Sequence, residues 1–430
     1  MTKDFIQIIR DRGFLHQMTD EDGLRTLLKT PGQTAYIGFD CTAKSLHVGS
    51  LLQIMLLRWW QKCGHRPIVL LGGGTTKIGD PSGKDESRPP LSDAQIQENM
   101  DSLKQVFAKF IDFDGAKFPT NTAIMENNDT WLKDLNYPQF LRQYGRHFSV
   151  NRMLTMDSVK LRLEREQNLS FLEFNYMIFQ AYDFVKLYRL YQCRVQLGGS
   201  DQWGNIINGI DLQRRLLNTG IAAEIKNEES PWELFGITSP LLTTSSGAKM
   251  GKTAAGAIWL NADLLKPYDY WQFWRNTEDG DVIRFLKLFT EIELSQIAEY
   301  ESWVGSAKIN DAKIILATEA TAMLHGREEA ERAAKTAAET FSGSGVSDDL
   351  PVYPVQAADL ESGVALNTIL VGLGFAASNS EVRRLIQGGG VKVNDVAISD
   401  EKYRLTMSDL VNGAAKISSG KKKHALVKIA

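Results

Sequence analysis

Short, unbroken apolar runs that end in glycine alternate in this chain with stretches whose apolar residues recur every three to four positions. Three of the runs, "AYIGFD" (35–40), "PIVLLGGG" (67–74) and "RVQLGG" (194–199), have the character of strands covered on both faces. Between the first two, the stretch from His47 to about Lys62 reads as an apolar helix, which completes a βαβ unit of parallel strands. An α/β fold with a parallel sheet is expected, with ligands beyond the carboxyl ends of its strands, where the glycine turns lie. From about Asp263 to Ala338 the pattern becomes helical and polar-faced, and predicts a separate helical domain. The stretch "SGSGVSDDLPVYP" (342–354) reads as a linker. A small basic module follows it, ending in "SGKKKHALVKIA". The expected boundaries are 1–260, 261–340, 341–360 for the linker, and 361–430.

Composition narrows the function classes. The 430 residues suffice for about two to four domains of roughly 150 residues each. A net charge of -3 excludes protein-wide attraction to nucleic acid but leaves room for a local basic patch. The three cysteines, Cys41, Cys63 and Cys193, form no CxxC pair, which excludes a disulfide scaffold and a thiolate zinc site. No run of about 18 apolar residues occurs, and charges interrupt the N-terminal apolar residues. A cytoplasmic protein without a membrane partner is expected.

Two phosphate-loop patterns fail on spacing. "GGGTTKIG" has Lys77 where a dinucleotide fingerprint needs glycine, and Gly247 and Gly251 in "GAKMGKT" enclose three residues where a P-loop needs four. Both still concentrate glycine and lysine near the expected ligand face.

"HVGS" at the start of the first βαβ helix and "KMGKT" farther on resemble the two signature motifs of class I aminoacyl-tRNA synthetases, usually written HIGH and KMSKS. With "YIGFDCTAKSLHVG", "GDPSGKDESR", "YMIFQAYDF" and "QLGGSDQWGNI" in order, the chain resembles the bacterial-type tyrosyl-tRNA synthetase family over essentially its whole length. The tail is similar to an S4-type RNA-binding module. The resemblance implies a Rossmann-like catalytic domain with a connective insertion, a helical anticodon-side domain and a small α+β S4-like domain. It also implies activation of L-tyrosine by ATP, with Mg²⁺ accompanying the phosphates, and transfer of tyrosine to the 3′ end of tRNA(Tyr). A homodimer is implied, with contacts around "HFSVNRMLTMDSV". No permanently bound cofactor and no resident metal are expected.

The chemistry implied explains the residue types. A carboxylate ionised at neutral pH attacks the α-phosphorus, so no general base or enzyme nucleophile is needed. Catalysis rests on juxtaposing the substrates and steadying the departing pyrophosphate. By resemblance Thr42 and His47, at a helix start that already favours anions, contact the ATP phosphates, and Gly49 leaves room for adenine. Ser50 departs from the family's second histidine. The resemblance implies that Lys84 and Arg88 clamp the pyrophosphate from one side, and Lys249 and Lys252, in a loop with Met250 and Thr253, from the other. Cys41 stands where the family usually has proline, which restores a backbone N–H to the turn. Tyr176, Gln180 and Asp183 share one helical face at i, i+4 and i+7. By resemblance Tyr36 and Asp183 bind the substrate hydroxyl, while Tyr176, Gln180 and Asp80 hold its ammonium. Gly38, Asp40, Gly199, Asp201 and Gln202 line the tyrosine and ribose positions.

In the tail, "LVGLGFAASNSEVRRLIQGGGVKVND" (370–395) suits a helix joined by "QGGG" to a strand. Arg383 and Arg384 are adjacent, so at least one is solvated. With Lys392, Lys421, Lys422 and Lys423 they compose a candidate phosphate-binding patch. Two rivals stand beside the synthetase reading: an RNA-binding relative without catalysis, and a P-loop phosphotransferase.

Overall fold

A computed structural model describes residues 4–82, 91–217, 233–245, 247, 250–253, 256–342, 350–411, 413–420 and 423–429. Among them, six strands form the principal sheet: β1 (Gln17–Met18), β2 (Thr34–Asp40), β3 (Arg66–Gly72), β4 (Ile124–Asn127), β5 (Cys193–Gly199) and β6 (Phe235–Ser239). Their order is β1-β6-β5-β2-β3-β4, parallel throughout except for β1. The three expected strands are β2, β3 and β5. They are buried along almost their whole length, as strands with helices on both faces must be.

The chain builds outward from β2 to β3 and β4, then returns to lay β5 and β6 on the other side of β2. Strand order therefore reverses between β2 and β5. The backbones diverge beyond the carboxyl ends of this pair and open a crevice. Asp40 ends one strand and Gly199 the other.

The first crossover helix, Val48–Lys62, begins at His47, its N-cap. A second helix, Tyr176–Tyr191, leads into β5 and packs beside Trp203–Leu217. Its buried residues include Tyr176, Met177, Phe184, Val185 and Leu187, which places Asp183 in the core beside them.

The described residues divide into two compact units. One comprises Met1–Thr253, Ala257–Leu265 and Asn276–Leu316. The other includes Lys266–Arg275 and Ala317–Ala430. The segment 261–340, expected as one helical domain, is thus shared between them. The reason is visible at Arg12, whose guanidinium donates to the carbonyls of Lys287, Thr290 and Ile292 at 3.0, 3.1 and 2.8 Å. Glu291 pairs with Arg58 and Lys62 of the crossover helix at 2.6 and 2.8 Å. Helices Val282–Phe289 and Leu294–Glu301 are held to the sheet unit by these charges and by packing. In the second unit, Pro267–Arg275 packs on Arg327–Ser342, and Trp271 Nε1 donates to Thr318 Oγ1 at 3.1 Å.

The expected linker also differs. Its residues 343–349 lie outside the described residues, but Val352–Val355 is a strand pairing in parallel with Leu426–Ile429 at the edge of the tail's five-stranded sheet. Pro354 is tolerated there because an edge strand has one row of N–H groups without a ladder to fill. Helices Leu366–Gly372 and Asn379–Gln387 pack on this sheet, burying Leu366, Ile369, Leu370, Val382 and Ile386 against Val391, Ile417 and Val427. Helix, glycine turn and strand follow one another from Asn379 to Val393 as expected.

Candidate active site

The crevice between β2 and β5 holds a cavity of about 550 Å³, of the size that takes a small-molecule substrate. Its closed end is built by Tyr36 and Asp183. Tyr36 is 1% exposed, and its hydroxyl is buried without a hydrogen-bond partner. Asp183, 2% exposed, accepts from Trp131 Nε1 at 2.7 Å on one oxygen and from Asn128 Nδ2 at 2.9 Å on the other. Burial pushes the Asp183 carboxyl up to about 7, against the lowering effect of those two donors, and nearby Asp40 adds to the rise. Burial also holds the Tyr36 phenol well above its usual value, with the Asp183 charge reinforcing it. A buried hydroxyl left unpaired costs about 1–3 kcal/mol. The closed end thus places an unpaired buried hydroxyl beside a buried carboxylate, an arrangement suited to a ligand hydroxyl.

The middle of the cavity is a chain of side-chain hydrogen bonds. Tyr176 donates its hydroxyl to the Asp40 carboxylate at 3.3 Å, and Thr75 Oγ1 donates to the same group at 2.9 Å. Burial, then Asp40, Asp80 and Asp183, raise the Tyr176 phenol well above its normal range. Asn205 Nδ2 donates to Gln180 Oε1 at 3.0 Å, Gln180 Nε2 to Gln202 Oε1 at 3.3 Å, and Gln202 Nε2 to Asp80 Oδ2 at 3.1 Å. Asp80 Oδ1 accepts from the Ser82 backbone N–H at 2.9 Å. Four carboxylates, Asp40, Asp80, Asp183 and Asp201, line one cavity, and no lysine or arginine does so among the described residues. Such a lining attracts an ammonium group.

At the open end lie Thr42, His47, Gly49, Ser50 and Met250. His47 Nδ1 accepts from the Gly49 backbone N–H at 3.0 Å, so a neutral ring carries its proton on Nε2. The two signature turns pack on each other. Gly251 has φ +99°, and a Cβ there would lie 2.9 Å from both Gly49 N and His47 Nδ1. A Cβ on Gly49 would meet the His47 ring at 2.6 Å and the Met250 carbonyl at 3.2 Å. The room beside Gly49, expected for adenine, is therefore also needed for contact between the protein's own turns. The N–H restored at Cys41 is used: it donates to Thr76 Oγ1 at 2.7 Å, while the Cys41 carbonyl accepts from Asn99 Nδ2 at 2.8 Å.

The cavity thus brings together Tyr36, Gly38, Asp40, Thr42 and His47 with Gly49, Ser50 and Asp80. Tyr176, Gln180, Asp183, Gly199, Asp201, Gln202 and Met250 line it too. Lys84, Arg88, Lys249, Lys421 and Lys422 lie outside the described residues; Lys252 and Thr253 form a short strand. In the tail, Arg383, Arg384 and Lys392 are exposed. Lys423 Nζ instead donates to the Phe375 carbonyl at 2.9 Å, which gives that charge a structural partner. Sequence reasoning missed Thr75, Asn128, Trp131 and Asn205. Each holds another side chain of the site, Thr75 and Asn128 also lining the cavity themselves, and none belongs to a motif, so only the fold reveals them.

Among the described residues, no helix is long and apolar enough to cross a membrane, and no cluster of three or more His, Cys, Asp or Glu is placed to hold a metal ion.

The family model for class I tRNA synthetases (W and Y) matches residues 29–342, and the S4 domain model matches 366–411. A tyrosine–tRNA ligase of Rhodospirillum rubrum is 56% identical over 427 residues, covering 99% of this chain and 98% of that one. One of Caulobacter vibrioides is 57% identical over 426 residues, covering 99% and 97%. Among solved structures, a C-terminally truncated mitochondrial tyrosyl-tRNA synthetase of Aspergillus nidulans superposes with a TM-score of 0.69 at 31% identity, over 79% of this chain and 94% of that one. The reversed strand order, the cavity at its switch point and these likenesses agree: the chain belongs to the tryptophan and tyrosine family of class I tRNA synthetases.

Proposed function

We propose that the chain is a tyrosine–tRNA ligase, which activates L-tyrosine with ATP to tyrosyl-adenylate and pyrophosphate, then transfers tyrosine to the 3′ end of tRNA(Tyr). The observation that carries this reading is the unpartnered Tyr36 hydroxyl at the end of the cavity that also holds Asp183. A substrate phenol donates to the Asp183 carboxylate and accepts from Tyr36, satisfying both. Phenylalanine leaves the Tyr36 hydroxyl unpaired and the Asp183 carboxylate one donor short. The ammonium group settles at Asp80 and its amide chain.

The tyrosine carboxylate then attacks the α-phosphorus, the bond to the β-phosphate oxygen breaks, and pyrophosphate leaves with the electron pair. Mg²⁺ arrives with ATP as part of the substrate. His47 Nε2–H and Thr42 donate at the helix start, and Lys84, Arg88, Lys249 and Lys252 supply positive charge to a cavity whose described lining is acidic. Losing one preorganised donor of this kind typically costs about 3 kcal/mol, roughly a hundredfold in rate.

The tail binds tRNA through Arg383, Arg384 and Lys392. Two copies associate through the apolar surface of helices Val150–Leu154 and Asp157–Glu164, where Val150, Leu154, Leu161 and Leu163 are exposed. Exchange of labelled pyrophosphate into ATP tests the reading. Tyrosine-dependent exchange is expected; no exchange, or equal exchange without tyrosine, overturns it.

A further inference from the structure

Cys41, between Asp40 and Thr42, keeps a backbone N–H where a proline would have none, and the reading above makes no use of it. Strands β2 and β3 run parallel with Asp40 beside Gly72, so the turns that follow them lie side by side. Consecutive threonines of the second turn, Thr75–Lys77, hold consecutive residues of the first. Thr75 Oγ1 donates to Asp40 Oδ1 at 2.9 Å, and Thr76 Oγ1 accepts from the Cys41 N–H at 2.7 Å. A separate element, the helix Asp93–Phe110, supplies Asn99, whose Nδ2 donates to the Cys41 carbonyl at 2.8 Å. Both polar backbone groups of Cys41 thus have side-chain partners, from two different elements. Cys41 and Asn99 are buried, and a hydrogen bond lost in such surroundings is not replaced by water.

The far end of the same loop is fixed by other means. The Val48 N–H donates to the Ile258 carbonyl and the Leu260 N–H to the Leu46 carbonyl, each at 2.9 Å. Ser45 Oγ accepts from the Asn261 N–H at 3.2 Å. His47 is held at this end, as an N-cap. Thr42 has no such support: among the described residues it makes no hydrogen bond of its own. Its place follows from Cys41, one peptide away. A proline ring restrains a residue covalently, through φ; here two hydrogen bonds restrain it from outside. Neither Thr76 nor Asn99 lines the cavity, so neither is placed to touch a substrate there.

We infer that Thr76 and Asn99 are positioning residues for Thr42, clamping the Cys41 backbone so that Thr42 meets the nucleotide in a preset place. A group already aimed needs no reordering as charge moves during the reaction. A misplacement of about 1 Å costs up to about a hundredfold in rate. The inference rests on the tyrosine–tRNA ligase reading, which gives Thr42 its contact with the phosphates.

The test measures tyrosine-dependent pyrophosphate exchange for wild type, Thr76→Val, Thr76→Ser and Asn99→Ala, and for the valine and alanine variants combined with Thr42→Ala. Thr76→Val and Asn99→Ala should each lower kcat about tenfold, with KM for tyrosine and for ATP held within about twofold. Thr76→Ser keeps the acceptor and should match wild type. In the Thr42→Ala background, where no hydroxyl remains to be aimed, the same two substitutions should cost nothing further. Losses that persist in full in that background overturn the inference, as do a raised KM with kcat intact and a serine variant as slow as the valine one. If Asn99→Ala does not fold, Thr76→Val, a near-isosteric change at a half-buried position, decides the matter alone. Absence of exchange by wild type would instead refute the ligase reading.

Discussion

The two ends of the cavity are built on opposite principles. At the closed end, both Asp183 oxygens have fixed donors and the whole group lies in the core. At the open end, the described groups are a helix start and two glycines in mutual contact. On the proposed function, the contrast follows from what each end recognises. A phenol hydroxyl is small and neutral, so selectivity requires a dry, preset pair whose members suffer when the hydroxyl is missing. A triphosphate is large and highly charged, and its charge changes position during the reaction. That demands donors and cations brought up on loops.

The largest break in this contrast should come from Asp183→Ala. Tyrosine activation is expected to fall more than about a hundredfold, since a hydrogen bond to a charged group is worth about 1.5–3 kcal/mol and two donors are stranded as well. KM for ATP should move little, and circular dichroism should show an intact fold. An equal loss in both substrates would erase the distinction between the ends. The same residue couples function to stability. Its folded-state value, about 7, lies above the ordinary 3.8. Its contribution to stability is therefore complete below the unfolded value and is lost as pH rises through about 7. Activity has the opposite sign, because the phenol donates to the ionised form. In wild type, kcat/KM for tyrosine should rise through that same pH range.

Asn128→Ala sharpens the point with a smaller effect. Removing one donor should raise KM for tyrosine about tenfold and move the kcat/KM midpoint upward, because that bond lowers the Asp183 value. An unmoved midpoint would show that Asn128 does not govern the carboxylate.

Gly251→Ala attacks the other end. Forced positive φ typically costs about 1–3 kcal/mol, and a Cβ would press on Gly49 and His47. Several-fold losses are expected in kcat and KM for ATP, with tyrosine binding, followed by equilibrium dialysis, unchanged. Weakened tyrosine binding would contradict the separation.

The smallest effect is expected in the tail, from Arg383→Ala and Arg384→Ala. Aminoacylation should weaken by a few-fold, with a shallower salt dependence, while pyrophosphate exchange stays at its wild-type rate. A fall in exchange would link the tail to activation.

The legibility of the chain followed the same divide. Strands β2, β3 and β5 announced themselves because parallel strands buried on both faces are continuously apolar. β4 and β6, with four and five residues, lack that length, and β1 has only two. Tyr176, Gln180 and Asp183 were visible as polar positions on one helical face. Asn128 and Trp131 were not, since they reach Asp183 from the short helix Asp129–Leu132 and its N-cap, more than 50 residues earlier in the chain. The division of the helical region was hidden too, because the contacts of Arg12 with residues 287–292 bridge the length of the sheet unit.

One comparison tests the central claim most directly: the preference for tyrosine over phenylalanine in pyrophosphate exchange, measured for wild type and Tyr36→Phe. Removal of the single hydroxyl should cut the preference about tenfold, chiefly by slowing the reaction with tyrosine. A folded Tyr36→Phe enzyme with undiminished preference would show that the phenol is read somewhere else.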